Sequence, residues 1–445
     1  MKLRIVNLGC KVNSYESEAI LNDFVDKGFE YIEQGDADVI IINTCTVTST
    51  SDQKSRQIIR KLKRENPTAL VVAMGCYVQL HQEEASELAD VIIGTNNRLK
   101  AYEIVKSYLD TKESIIKTVI NHNYVDDIND VTEYEEMKVN AVKTHTRGFV
   151  KIQDGCENYC SYCAIPYARG KIRSRKPQDV IDEINNLVEN GTNEVIIAGI
   201  NTGTYGQDLD DINLAQLIEK IMNETKLYRL RLSSIELMEV TDELLNTIKK
   251  YESRVAHHLH IPLQGGCDTV LKRMHRKYLT ADYRNLINKI RKLFPHIAIT
   301  TDLLAGFVGE TEDEFNQTCS FIQEMNFAMM HIFPYSRRKN TEADKMEGHL
   351  DPKTINVRAH NLLNIAKKMQ REYEKSFINV NCIVITEQIK NGYYVSHSSN
   401  YLEVYLPVNE SIKENMIVEV KITKLENDQL IGEVLKIIER NKENE

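Results

Sequence analysis

Three cysteines, Cys156, Cys160 and Cys163, fall within eight positions at the spacing C-x3-C-x2-C. Thiolates in that number suit two chemistries. They can hold an iron–sulfur cluster of four irons and leave one iron without a protein ligand, open to a substrate or cofactor. They can also hold a tetrahedral zinc, provided that a fourth ligand arrives from elsewhere in the chain. The spacing leaves both open.

A second triplet is scattered. Cys10, Cys45 and Cys76 each follow, directly or one residue on, an apolar run of strand type: "LRIVNLG", "ADVIIINT" and "ALVVAMG". In an open parallel sheet the carboxyl ends of the strands share one crevice, so the three are expected to converge there. Cys267, Cys319 and Cys382 read as structural. Cys319 falls inside a helical pattern, and Cys382 heads an apolar strand.

The elements that must carry these sulfurs follow from hydropathy. Over the first 110 or so residues, continuous apolar strands alternate with helical patterns, which predicts a doubly wound parallel sheet. From about 140 to 340 the βα pattern recurs roughly six times, which predicts a partial (β/α)6 barrel with Cys156 after its first strand. Barrel active sites sit at that end of the strands. Between the two, "HNYVDDINDVTEYEEM" is acidic and weakly periodic and reads as a linker. A long helix over 353–377 leads to short strands with turn signals such as Asn391-Gly392, a small β-barrel. The expected division is 1–120, a linker over 121–140, a core over 141–375 and a β domain over 376–440.

Composition narrows the classes. Nine cysteines in 445 residues, an odd number, argue against a disulfide framework. No apolar run approaches the ~20 residues that span a bilayer. The first residues read as a strand rather than a signal peptide, so a cytoplasmic location without membrane contact is expected. The net charge of −9 excludes a global positive field for nucleic acid. From residue 380 onward there are seven Lys/Arg against eleven Asp/Glu, so the β domain does not attract RNA by charge. Tyr393, Tyr394, Tyr401 and Tyr405 are its candidates for stacking on bases, with half of them expected in the core.

C-x3-C-x-aromatic-C after the first strand of a βα barrel resembles the radical S-adenosylmethionine (SAM) superfamily. The wider set resembles its methylthiotransferases: "LGCKVNSYESE", "INTCTVT", "MGCYVQ", "CENYCSYCAIPYARGKIRSR", "GINTGTYG", "RLSSIE", "HIPLQGGCDTVLKRMHRKY" and "FPYSRR". "NGYYVSHSSNYLEV" looks like that family's OB-like TRAM domain. The resemblance implies two [4Fe–4S] clusters, one on each cysteine triplet, with S-adenosylmethionine on the open iron of the barrel cluster. It further implies tRNA as substrate, a one-electron donor such as flavodoxin or ferredoxin, and a sulfur source. "GCKVN-x-YE" and "ARGKIRSR" resemble the branch that methylthiolates C2 of N6-threonylcarbamoyladenosine beside the anticodon, at position 37. The isopentenyladenosine branch reads closer to "GCQMN", and the branch acting on a ribosomal-protein aspartate closer to "GCPKN". A non-enzymatic RNA-binding protein with structural zinc is the remaining alternative.

By the same resemblance Tyr162 lies near the adenine of the cofactor. Further cofactor contacts are expected at strand ends: Gly199, Asn201, Ser234, Glu236 and Gln264, with Gly306 permitting close backbone approach. Arg169, Lys171, Arg173 and Arg175 form a basic run beside the cysteines, and Arg337 belongs to a second. They are candidates for positioning RNA phosphates.

Overall fold

In the computed structural model, residues 1–113, 123–140, 142 and 146–438 are described. The end of the expected first domain (114–120), the start of the expected linker (121–122), residues 141 and 143–145 of the expected core and 439–440 of the expected β domain lie outside them.

Six parallel strands form the N-terminal sheet: β1 (Lys2–Asn7), β2 (Glu30–Tyr31), β3 (Val39–Thr44), β4 (Leu70–Gly75), β5 (Val91–Ile93) and β6 (Asn123–Tyr124), in the order β2-β1-β3-β4-β5-β6. Helices α1 (Lys11–Asp26), α2 (Ser49–Glu65), α3 (Cys76–Leu80), α4 (Gln82–Leu88) and α5 (Ala101–Glu113) fill the crossovers. Every residue of β3 and β4 is buried, because helices or the neighbouring barrel cover both faces. Val39 and Ile41 belong to a core continuous with that of the barrel, whereas Ile40 and Ile42 pack with Ile59 and Leu62 of α2. The alternation is the two-residue period of a strand.

The barrel strands are β7 (Gly148–Lys151), then β10 (Glu194–Ala198), β11 (Arg229–Leu232), β12 (His258–His260), β13 (Ala298–Ala305) and β14 (Met329–Pro334). A short ribbon, β8 (Gln153–Asp154) with β9 (Arg173–Ser174), frames the cysteine loop, which ends in helix α6 (Ile165–Arg169). Two three-stranded parallel sheets, β7-β10-β11 and β12-β13-β14, are joined by single bridges at Leu230–Val255 and Ser234–His260. This is the six-unit partial barrel that the hydropathy predicts.

The C-terminal strands β15 (Asn381–Lys390), β16 (Tyr393–Ser398), β17 (Glu403–Pro407), β18 (Ile417–Glu426) and β19 (Gln429–Ile437) close into a barrel. Asn391 and Gly392 both adopt positive φ, at 51° and 81°, as a two-residue hairpin turn requires. This barrel docks where the strands of the larger one begin. Arg231 donates to Glu194 at 2.7 Å and to the carbonyl of Ser398 at 2.9 Å, and Arg229 donates to Glu194 at 3.1 Å. Tyr401 stacks on His258, with ring centroids 4.8 Å apart. Tyr394 and Tyr405 are buried. Of the four tyrosines expected as stacking candidates, three are therefore committed within the protein.

The acidic stretch differs from the expected linker. It contributes β6 to the sheet edge, and Glu135 pairs with Arg98 at 3.0 Å. Glu136 accepts from Arg175 Nε at 2.8 Å. Its charges neutralise buried arginines and strap the two α/β units together.

Candidate active site

The two cysteine triplets meet. One cavity of about 550 Å³ is lined by Cys10, Cys45 and Cys76 on one side and by Cys156, Cys160 and Cys163 on the other. Cys10 caps α1 after β1, Cys45 follows β3, and Cys76 opens α3 after β4. All three stand at carboxyl ends of adjacent strands, as their spacing along the chain predicts. The other three sit in the loop after β8, held by its glycine. Gly155 has φ of 77°, and a Cβ there would lie 1.8 Å from the carbonyl oxygen of Lys171. Only glycine lets the loop cross the β9 hairpin so closely.

Burial pushes these thiols up: Cys45 is raised, Cys156 reaches about 11, and Cys76 and Cys163 reach about 12. As bare side chains they hold their protons; as metal ligands they must lose them, and the metal supplies the energy. Donors wait for the resulting negative sulfurs. Arg169 Nε donates to Cys76 Sγ at 3.1 Å, and Arg276 Nη1 donates to Cys160 Sγ at 3.2 Å. The amide of Ile165 donates to Cys163 Sγ at 3.4 Å. Among the described residues no three Cys, His, Asp or Glu side chains converge on a single ion position. A four-iron cluster distributes its cysteines over separate irons and does not ask for that.

The remaining expected residues divide. Tyr162, Gly199, Ser234, Glu236 and Gln264 line the cavity. Glu236 is bonded to Arg276. Gln264 has φ of 64°, a strained conformation for a non-glycine residue and one that clusters at ligand sites. Asn201 is buried beside them, off the lining, and among the described residues both polar atoms of its amide lack a partner. Tyr335 lines the cavity with its hydroxyl likewise unpaired. These orphaned groups, six thiols and a glycine at 199 whose Cβ would crowd Gln153 at 2.9 Å fit a polar cofactor bound beside the sulfurs. Gly306 is not among the residues that line this cavity. Its φ of 72° serves a turn under the long helix Pro352–Lys375, where a Cβ would lie 2.9 Å from the Ile355 side chain.

The basic run is a correction. Arg169, Arg173 and Arg175 are buried. Arg169 pairs with Glu16 at 2.6 Å and Asp154 at 3.2 Å, and Arg173 lies 3.8 Å from Asp154. Arg175 is bonded to Glu136 and Glu183. Arg173 and Arg175 are enclosed and neutralised, and Arg169, which reaches the cavity lining, is neutralised by Glu16 and Asp154. Lys171 is exposed, and exposed Arg337 pairs with Asp344. Arg338 is the unexpected member of its run: it lines the cavity and donates to Asp52 of the N-terminal domain at 2.5 Å. Sequence reading also missed Arg276, Lys11, His260 and Asp302 on the lining.

Comparison with known proteins fits this geometry. Residues 150–322 match the Radical SAM superfamily, and residues 2–94 match Uncharacterized protein family UPF0004. The chain is 38% identical to the threonylcarbamoyladenosine tRNA methylthiotransferase MtaB of Bacillus subtilis, over 97% of this chain and 96% of that protein. It is 31% identical to the tRNA-2-methylthio-N(6)-dimethylallyladenosine synthase of Clostridium tetani, over 96% and 94%. The chain belongs to the radical SAM methylthiotransferases. Members of this family use S-adenosylmethionine and [4Fe–4S] clusters, and the methylthiotransferases carry two. The family is enzymatic, which sets aside the zinc-containing, non-enzymatic alternative. Among solved structures, the radical SAM methyltransferase TsrM of Kitasatospora setae has the same fold, with a TM-score of 0.53 at 15% identity over 75% of this chain and 74% of that one. A radical SAM methylthiotransferase acting on tRNA thus accounts for two triplets facing one cavity. No helix among the described residues is long and apolar enough to cross a membrane.

Proposed function

We propose that this enzyme places a methylthio group on C2 of N6-threonylcarbamoyladenosine at position 37 of tRNA. The observation that carries the reading is the meeting of both cysteine triplets on one cavity: a sulfur-bearing site and a radical-generating site must reach the same carbon. The name of the Bacillus subtilis relative supports the threonylcarbamoyl substrate over the isopentenyl one.

In this reading Cys156, Cys160 and Cys163 hold one cluster and Cys10, Cys45 and Cys76 the other. With S-adenosylmethionine these groups supply radical chemistry at an unactivated C–H bond, which no side-chain base can open. The protein's own work is holding and shielding. Arg276 and Arg169 place a donor on one sulfur of each triplet, which favours the thiolate and tunes the potential of whatever the sulfurs bind. Glu236 fixes the Arg276 guanidinium. Asn201, Ser234 and Gln264 offer polar groups to the cofactor, and Tyr162, edge-on to Phe307 at 6.1 Å, offers its ring. At the rim, Val47 and Phe333 remain exposed, apolar surfaces against which an adenine can rest. An electron donor of flavodoxin or ferredoxin type and a sulfur source complete the requirements, and the RNA substrate puts the reaction in the cytoplasm.

The test is a nucleoside profile. Reconstituted protein is given tRNA bearing threonylcarbamoyladenosine, isopentenyladenosine or plain adenosine at position 37. Methylthio transfer to the first alone is expected. Equal turnover of the isopentenyl substrate sinks the substrate assignment and leaves the family intact.

A further inference from the structure

Four cations line the cavity: Lys11, Arg169, Arg276 and Arg338. Three are already neutralised. Arg169 has Glu16 and Asp154, Arg276 has Glu236, and Arg338 has Asp52. Lys11 differs. Among the described residues its ammonium has no hydrogen bond and no ion pair, although it lies within electrostatic reach of Asp302. Arg231 and Arg147 also act on it, and both have carboxylates of their own in Glu194 and Glu387.

We infer that Lys11 receives the carboxylate of the amino-acid group carried by the substrate adenosine, and so sets which modified adenosine the site accepts. The inference rests on the function proposed above and deepens it. Lys11 is half-buried with no carboxylate bonded to it, and a carboxylate ligand would offset the cost of that partial desolvation through a short charge-assisted hydrogen bond. The surroundings favour an anion twice over. Lys11 is the first residue of α1, whose opening N–H groups have no helical acceptor and whose dipole is positive at this end; Val12 and Asn13 of the same turn line the cavity.

The residues next to Lys11 differ from those next to the barrel triplet. Lys11 adjoins Cys10, in the triplet of the N-terminal domain, whereas the barrel triplet that would hold the cofactor has Arg276 and Glu236 beside it. An isopentenyl group presents no charge to Lys11 and would leave it half-buried and unpaired. A site built around one charged group discriminates in this asymmetric way.

The experiment uses two anticodon stem-loop RNAs, one carrying threonylcarbamoyladenosine and one with its carboxylate converted to the carboxamide. Both bear the same phosphates, so backbone contacts cancel in the ratio. Equilibrium binding is measured on cluster-loaded wild type, Lys11→Arg and Lys11→Gln, with iron content as the check on folding. Wild type is expected to prefer the carboxylate about 10- to 100-fold. Lys11→Arg should keep most of that preference, and Lys11→Gln should bind both RNAs alike. Full preference in Lys11→Gln overturns the assignment. So does weaker binding of S-adenosylmethionine with RNA preference unchanged. A wild type without preference overturns it whatever the variants do. Turnover separates the two ideas: methylthio transfer without carboxylate preference removes Lys11 alone, while preference without transfer removes the functional reading and leaves Lys11 standing.

Discussion

Arg169 leaves the barrel loop to donate to the sulfur of Cys76 at 3.1 Å, while its other nitrogens hold Glu16 and Asp154. One guanidinium thus joins a cysteine of the N-terminal domain to the end of the loop that bears the barrel cysteines. Glu16 also meets Lys151 at 3.0 Å and Arg98, and all are buried. Replacing Arg169 by leucine strands two buried carboxylates with fewer cations. The expected loss is about 3–5 kcal/mol of stability. The urea midpoint and slope measure it, and a loss under about 1 kcal/mol would show that Lys151 and Arg98 suffice.

Gly155→Ala tests the cysteine loop. The added carbon meets backbone, not a side chain that can swing away. The loop must then shift, and the barrel triplet with it. Reconstituted variant is expected to hold about four irons rather than about eight, counting four per cluster. Full iron content with wild-type thermal stability contradicts the geometry.

The two triplets should be separable. Cys156→Ala, Cys160→Ala and Cys163→Ala together are expected to lose about half the iron and all cleavage of S-adenosylmethionine. Cys10→Ala, Cys45→Ala and Cys76→Ala together should lose the other half and abolish methylthio transfer, with 5′-deoxyadenosine still released. Methylthiolated product from the second variant removes the N-terminal domain from sulfur delivery.

Glu194 gives a dependence on pH. Burial raises its carboxyl, but Arg231 and Arg229 outweigh burial and hold it at about 2. An unfolded glutamate titrates near ~4.3. The folded value is the lower one, so its stabilisation is complete above about pH 5 and is lost as pH falls toward 2. It amounts to roughly 3 kcal/mol. The urea midpoint of wild type should therefore fall more steeply over that window than that of Glu194→Gln. Parallel curves would show that the charge of Glu194 does not hold the small barrel in place.

The alternation of apolar strands with helices made both α/β units legible, because each strand is buried on both faces and reads as a continuous run. The convergence of Cys10, Cys45 and Cys76 was legible for a topological reason: carboxyl ends of parallel strands share an edge. Charge was not. Arg169, Arg173 and Arg175 read as a basic run open to RNA phosphates, since their partners Glu16, Glu136 and Glu183 lie 8 to 153 positions away. Arg276 sits in "MHRKY" among other cations, and nothing local marks it as the one that meets Cys160. Nor does hydropathy show that an acidic segment can be structured by the cations beneath it.

The pairing of Asp52 with Arg338 spans 286 positions of chain, and that of Cys76 with Arg169 spans 93. Ribosomes add about 5–20 residues each second. The N-terminal thiols therefore emerge roughly 5–20 s before the arginine that meets Cys76, and about 15–60 s before the one that closes the cavity wall. During that interval the three cysteines of the N-terminal domain that line the cavity stand in a half-built crevice, open to oxygen and to stray metal. Growth in excess oxygen should therefore harm newly made enzyme more than enzyme already assembled.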